Sequence, residues 1–242
     1  YTPKFGASSK PGGLLLWGID ELVTYHYLVA EVYRVVPATK LPYEQFWQMS
    51  KQQQADHIWK HLFVERTPVS EACRGVLTTI RKLGLDPNEK SLDSYRKWFS
   101  EQTADKYIDK VMQIANVDSI TMTNPVFDDH ERAMWEKDAD VGDDPRFKAV
   151  LRVDPLLRDW PTAVKKMAQW GYKVHANLTP AGIEEAQRFL RDWIDRMKAI
   201  YVAVSLPPAF QYPTHKVEGE QHPSETMLEK VILPVLAERG LP

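Results

Sequence analysis

Two pairs of residues offer the most direct chemistry in this sequence. Arg152 lies near the carboxyl end of an apolar run, in Leu151-Arg152-Val153-Asp154-Pro155. Its guanidinium fork suits bidentate capture of a carboxylate or phosphate. Asp154 stands two residues on, which in a strand puts it on the same face. A structural Arg152–Asp154 ion pair is therefore the alternative to a ligand site. His26 and Tyr27 lie in Thr24-Tyr25-His26-Tyr27-Leu28. An imidazole can shuttle a proton, and a phenol can donate to a substrate oxygen. The alternative is that both rings pack in the core with one hydrogen bond each.

Other polar clusters carry weaker chemistry. His57 and His61 share a helix face at metal-ligand spacing, but Ile58 stands where the zinc-protease motif needs a Glu, and two histidines do not complete a site. They read as a surface pair. Asp128-Asp129-His130-Glu131 opens a helix, where carboxylates favour capping over metal binding. Asp138 to Asp144 lacks the ligand order of a calcium loop and reads as solvated. The single cysteine, Cys73, sits in a helical pattern and forms no internal disulfide, which points to a reducing, cytoplasmic setting. The Gly-rich phosphate-binding motifs and the G-x-S-x-G elbow are absent, so nucleotide-dependent and serine-hydrolase readings lose their usual support.

Elements able to position these groups can be read from periodicity. The 242 residues are 43% hydrophobic and 26% charged with a net charge of -2, a globular composition without the basic excess of a nucleic-acid binder. No apolar run is long enough to span a membrane, and the first residues, a Gly/Pro/Ser-rich loop to Gly13, lack signal-peptide order. The expected partner is a small molecule; self-association as a homo-oligomer stays open. Apolar spacing predicts one helix from Ile19 to Val35, then only helices up to Val117. Among these, Ser50 with Gln53 forms a capping box, Ser70, Ser91 and Thr103 are N-caps, and Gly84 is a C-terminal stop. Three apolar runs follow: Ser119 to Thr123, Phe147 to Val153 and Ala199 to Ser205. Asn124-Pro125, Asp154-Pro155 and Pro207-Pro208 are expected to end them. Helical patterns over Asp128 to Lys137, Trp160 to Trp170, Thr179 to Lys198 and Pro223 to Gly240 lie between or after them.

Strands alternating with helices imply parallel βαβ units, with ligands gathered at the carboxyl ends of the strands. A closed eight-stranded barrel takes about 250 residues, yet three strands are visible here. The expectation is an incomplete parallel (β/α) TIM-like barrel. Residues 1–36 form an N-terminal loop and first barrel helix, 37–117 a large helical insertion, and 118–242 βα units. Its open edges would leave the piece poorly soluble and inactive alone. A small three-stranded α/β domain with a helical partner domain is the alternative.

The segment Gly18 to Leu28 resembles the first helix of the uronate (glucuronate) isomerases of the amidohydrolase superfamily, which carries a His-Tyr pair and ends in an Arg, here Arg34. Ile120 to Pro125 resembles the second barrel strand of that family, and Val150 to Pro155 the third, so the βα units match barrel strands 2 to 4. The resemblance implies an enzyme that converts an aldose uronic acid to its ketose form, as glucuronate to fructuronate. It implies that Arg152 holds the substrate carboxylate and Tyr27 the reacting end, with His26 beside Tyr27 and Asp154 beside Arg152. The two groups would then converge on one pocket. It also implies a divalent metal, usually zinc, held by a His-x-His and a late Asp. No His-x-His occurs here, so the metal ligands are expected outside this sequence. Asn124 stands where the family carries an acidic pair. A metal-dependent hydrolase of the same superfamily and a non-catalytic degenerate barrel are the competing readings.

Overall fold

The structure, a computed structural model, describes residues 18–137, 144–206, 212 and 223–242. The N-terminal loop to Gly13, most of Asp138 to Asp144 and the Pro207-Pro208 strand end lie outside the described residues. The chain divides between Val117 and Asp118 into a helical unit and an α/β unit.

In the helical unit, side-chain caps decide where helices begin. Its helices are α1 (Ile19–Val23), α2 (His26–Val35), α3 (Tyr43–Gln48), α4 (Lys51–Trp59), α5 (Glu71–Lys82), α6 (Asp93–Ser100) and α7 (Ala104–Ala115), and α4 runs on as a wider turn over Lys60–Val64. The Ser50–Gln53 capping box forms in full: Gln53 N donates to Ser50 Oγ (3.2 Å) and Ser50 N to Gln53 Oε1 (2.9 Å). Ser70 caps α5, and Gly84 closes it at φ +84°. Ser91 differs from expectation. Leu92 takes the N-cap position of α6, and the Ser91 hydroxyl accepts from Asp93 N one residue further on. Thr103 holds the N-cap position of α7 without a side-chain bond.

The single helix expected over Ile19 to Val35 is two. Thr24 Oγ1 donates to the Asp20 carbonyl (2.7 Å), a local bond that competes with helix continuation. Tyr25 is extended (ψ 143°), and its carbonyl starts α2 by accepting from Leu28 and Val29. Ile19, Leu28, Phe46, Ile58 and Ile80 bury their side chains in one core. Each such burial contributes ~1.5–3 kcal/mol relative to exposure. Gln54 is buried but satisfied on one side, its amide donating to the Phe46 carbonyl (3.0 Å) at the end of α3. Arg96 on α6 gathers α1 and α4: it donates to Asp20 through Nε and Nη2 (3.0 and 2.8 Å) and to Asp56 through Nη2 (2.6 Å).

The α/β unit contains β1 (Ile120–Thr121), β2 (Asn124–Pro125), α8 (Asp129–Lys137), β3 (Phe147–Lys148), β4 (Leu151–Arg152), α9 (Asp154–Arg158), α10 (Trp160–Gln169), α11 (Pro180–Met197) and β5 (Val202–Ala203). It ends with α12 (Pro223–Met227), a wider turn over Leu228–Ile232 and α13 (Leu233–Arg239). All pairings are parallel: β1 with β3, and β2, β4 and β5 in that order. The backbone ladder runs through the short elements: Ile120, Met122 and Asn124 donate to the carbonyls of Arg146, Lys148 and Val150. One rung is replaced. Val150 N donates to the Asn124 side-chain oxygen (3.3 Å), so the ladder is divided into two short pairings, β1 with β3 and β2 with β4.

Asn124-Pro125 therefore pairs as strand, where a strand end was expected. Asn124 N serves the ladder to β4, and in a parallel strand the next residue directs its backbone groups to the opposite side. Pro125 needs no N–H there. Val150, Leu151 and Val153 are fully buried, as a two-sided cover requires, but β1 is exposed on both residues. Residue Pro242 accepts from Val202 N (3.1 Å) along the free edge of β5. Within the last helical stretch Pro234 has no N–H for the Lys230 carbonyl four residues back; Gln187 Nε2 on α11 donates to it instead (2.7 Å).

Asn124 is buried, and its Nδ2 donates to Glu131 Oε1 (2.6 Å) on α8. Burial raises the Glu131 pKa above its ordinary value, against the hydrogen bonds from Asn124 and Trp135 that lower it. The folded state thus keeps that proton to higher pH than the unfolded chain. Its stabilising contribution is present below the unfolded pKa and is lost as pH rises through the folded pKa.

Two outcomes follow from these contacts. Arg96→Met should destabilise the helical unit by ~1–3 kcal/mol, because three carboxylates, Asp20, Asp56 and Asp93, lose their charged donor; urea unfolding at neutral pH measures it, and an unchanged midpoint contradicts the role given to Arg96. Glu131→Gln should gain stability relative to wild type as pH is raised from about 4 to about 7, read from paired urea titrations. A pH-independent difference would show that burial does not perturb this carboxyl.

Candidate functional site

Arg152 is the last residue of β4 and lies in register with Ala203 of β5. Beyond it Val153 leaves the strand (φ -127°, ψ 33°), and Asp154 opens the short α9 with Pro155 in its first turn. That turn brings the carboxylate back over the guanidinium. Arg152 Nε and Nη2 both reach Asp154 Oδ2, at 2.9 and 2.8 Å. Arg152 Nη2 also donates to Ser205 Oγ (2.9 Å), and Ser205 N donates to Asp154 Oδ1 (2.8 Å). The ion pair weighed as the alternative to a ligand site is therefore present. It does not consume the guanidinium: Nη1 has no hydrogen-bond partner among the described residues. The Arg152 side chain stays 36% exposed while Asp154 is 17% exposed, so the carboxylate is the anchored partner and the arginine faces out. The hydrogen bond that Arg152 donates to Asp154, then the charge of Asp154, holds the Arg152 pKa above its ordinary value. The cation is permanent.

His26 and Tyr27 belong to the helical unit. The break at Thr24-Tyr25 makes them the first two residues of α2, not residues inside a longer helix. Their rings do not pack in the core, which was the alternative reading. Tyr27 is 60% exposed, His26 is exposed, and the His26 ring lies tilted against both Tyr25 and Tyr27 with 4.2 Å between centroids in each case. Arg34 lies in the last turn of the same helix. The structure thus pairs His26 with Tyr27 and Arg152 with Asp154, each pair within its own unit.

The remaining clusters are structural. Asp128 caps α8 through Oδ1, which accepts from Glu131 N (2.9 Å). His57 and His61 are half-buried rather than superficial, with centroids 4.5 Å apart. Burial, and next the charge of His61, pushes the His57 pKa down, while His61 Nδ1 meets Glu65 Oε2 at 2.6 Å. Burial raises the Cys73 thiol to about 11, which leaves it protonated and inert. Asp144, at the edge of the described residues, pairs with Arg146 (2.8 Å). A cleft of about 280 Å³ in the helical unit is lined by Arg96, Asp56 and Asp93, and both aspartates already pair with that arginine. Among the described residues no group of three or more His, Cys, Asp and Glu could hold a metal ion, and no helix is long and apolar enough to cross a membrane. Asn124 directs both ends of its amide into the protein, to Glu131 and Val150.

Ser205 is the site residue that motif reading passes over. Its signal was present: it is the last residue of the third apolar run, at the carboxyl end where the neighbouring strand carries Arg152.

No protein-family model matches this chain, and no curated protein does. Among solved structures it is similar to the crystal structure of an uronate isomerase from Bacillus halodurans C-125, with 45% sequence identity and a TM-score of 0.87. The match covers 100% of this chain and 53% of that one, so the chain spans about half the length of this relative. The family resembled by Gly18 to Leu28, Ile120 to Pro125 and Val150 to Pro155 is the family of that structure. At this identity over its whole length, the chain belongs to the uronate isomerase family.

Proposed function

We propose that this chain is part of an aldose–ketose isomerase acting on uronic acids, of the glucuronate-to-fructuronate type, built on a TIM-like barrel of the amidohydrolase superfamily and working in the cytoplasm. The observation that carries the reading is the Arg152 guanidinium. It is held at the carboxyl end of a parallel array with one edge uncommitted, in a chain 45% identical to an uronate isomerase. The ladder β2–β4–β5 and the Pro242 carbonyl beside Val202 support the barrel, because they extend the array on its open side.

The chemistry needs a handle on the acid group and a proton carrier at the other end of the sugar. Arg152 supplies the handle: its Nη1 edge donates to the substrate carboxylate while Asp154 fixes the opposite edge. Isomerisation takes a proton from C2 and returns one to C1, while the carbonyl passes from C1 to C2 and the hydroxyl protons exchange. No net oxidation occurs. The Tyr27 hydroxyl donates to the carbonyl oxygen, and the His26 imidazole takes up and gives back a proton. Exposure of both rings at the start of α2 supports their access to a ligand.

A divalent metal, zinc in the first instance, belongs to the proposal as a Lewis acid for substrate oxygens. The described residues do not supply a ligand set for it. Its ligands are placed outside this sequence, and no step above runs through it.

The intact protein should convert at least one hexuronate. Arg152→Met should lower kcat/KM by about 10²–10³, mainly through KM, and Tyr27→Phe should lower kcat with little change in KM. Turnover of no hexuronate removes the isomerase reading, and hydrolysis of an amide or ester panel by the same preparation would replace it with the hydrolase. A chelator should abolish turnover and added zinc should restore it; activity indifferent to chelation removes the metal from the proposal.

A further inference from the structure

Ser205 has two separate groups engaged with the Arg152–Asp154 pair. Its N–H donates to Asp154 Oδ1 (2.8 Å) and its Oγ accepts from Arg152 Nη2 (2.9 Å), while Arg152 Nε donates to Asp154 Oδ2 (2.9 Å). The three residues close a ring across the carboxyl tips of the adjacent strands β4 and β5. A guanidinium resting on a single carboxylate oxygen can pivot about that contact. Here Asp154 Oδ2 is that single oxygen for both Nε and Nη2, and Ser205 Oγ is the second support. Asp154 is itself held from the other side by the Ser205 amide, so the ring fixes the plane of Arg152 before any ligand arrives. Preorganisation of this kind removes an ordering cost from binding.

We propose that Ser205 is a positioning residue for substrate recognition: its hydroxyl locks the guanidinium of Arg152 so that the unpartnered Nη1 edge meets the carboxylate of a sugar acid. This rests on the uronate reading given above. It adds to it a residue from a different strand, and a division of labour in which the serine amide serves Asp154 and the serine hydroxyl serves Arg152.

That division makes the test clean. Ser205→Ala removes the hydroxyl but keeps the backbone N–H and its bond to Asp154, and the side chain is exposed, so the melting temperature should stay at the wild-type value. Ser205→Thr restores a hydroxyl at the same atom. Steady-state kinetics of the intact protein with glucuronate should show KM raised about five- to tenfold in Ser205→Ala with kcat within about twofold, and Ser205→Thr within about twofold of wild type in both. An unchanged KM in Ser205→Ala overturns the proposal, as does a loss in kcat alone or a threonine variant that rescues nothing. Each of these leaves the isomerase reading in place. If the wild-type protein converts no hexuronate, the isomerase reading falls and the positioning role falls with it.

Discussion

Parallel pairing of Leu151 between Asn124 and Val202 is the contact from which the arrangement of the site follows. The register sets Arg152 opposite Ala203, so the first residues past both strands leave on the same side of the array. Asp154 and Ser205 are 51 residues apart in sequence, yet the register alone puts the carboxylate of one within reach of the amide of the other. A shift of one residue would turn Arg152 to the opposite face. Full burial of Val150, Leu151 and Val153 makes such a shift expensive, because it would carry an arginine into the space they fill. The apolar core of the α/β unit thus fixes the place of one charged side chain at a rim.

The same unit separates buried polar groups from a partly exposed one. Asn124 and Glu131 are buried and bonded to each other. Arg152 is partly exposed, and an ion pair at that exposure adds little to stability in water. Its value is orientation. The helical unit shows the stabilising pattern in Arg96, which is spent on Asp20 and Asp56 and has its charge answered within the unit. Two arginines of the same chemistry differ in purpose because one is surrounded by carboxylates and the other meets one.

Local signals were legible where a single side chain decides the outcome. Ser50 with Gln53, Ser70 and Gly84 each mark a helix boundary that the structure contains, since capping needs only the few residues around it. The break at Thr24 was not legible. The apolar spacing runs across it without a fault, and only the hydroxyl bond to Asp20 and the extended Tyr25 reveal it. Asn124-Pro125 read as a strand end because proline usually leaves a sheet; its place in the ladder depends on which way its missing N–H would have pointed. Arg152 and Asp154 could be paired from spacing alone. Ser205 could not, because its contacts come from the alignment of two strands and not from any motif.

The Pro234 contact has a consequence for how relatives diverge. A proline in the last helical stretch leaves the Lys230 carbonyl without a donor from its own helix at the usual spacing, and the amide of Gln187 reaches over from α11 to meet it. The two positions are therefore bound by one hydrogen bond across two helices. In descendants that exchange Pro234 for a residue carrying an amide hydrogen, position 187 is released to drift, whereas lineages that keep the proline should retain a long side-chain donor there. Covariation between residues 187 and 234 would be the inherited trace of a backbone oxygen seeking a proton.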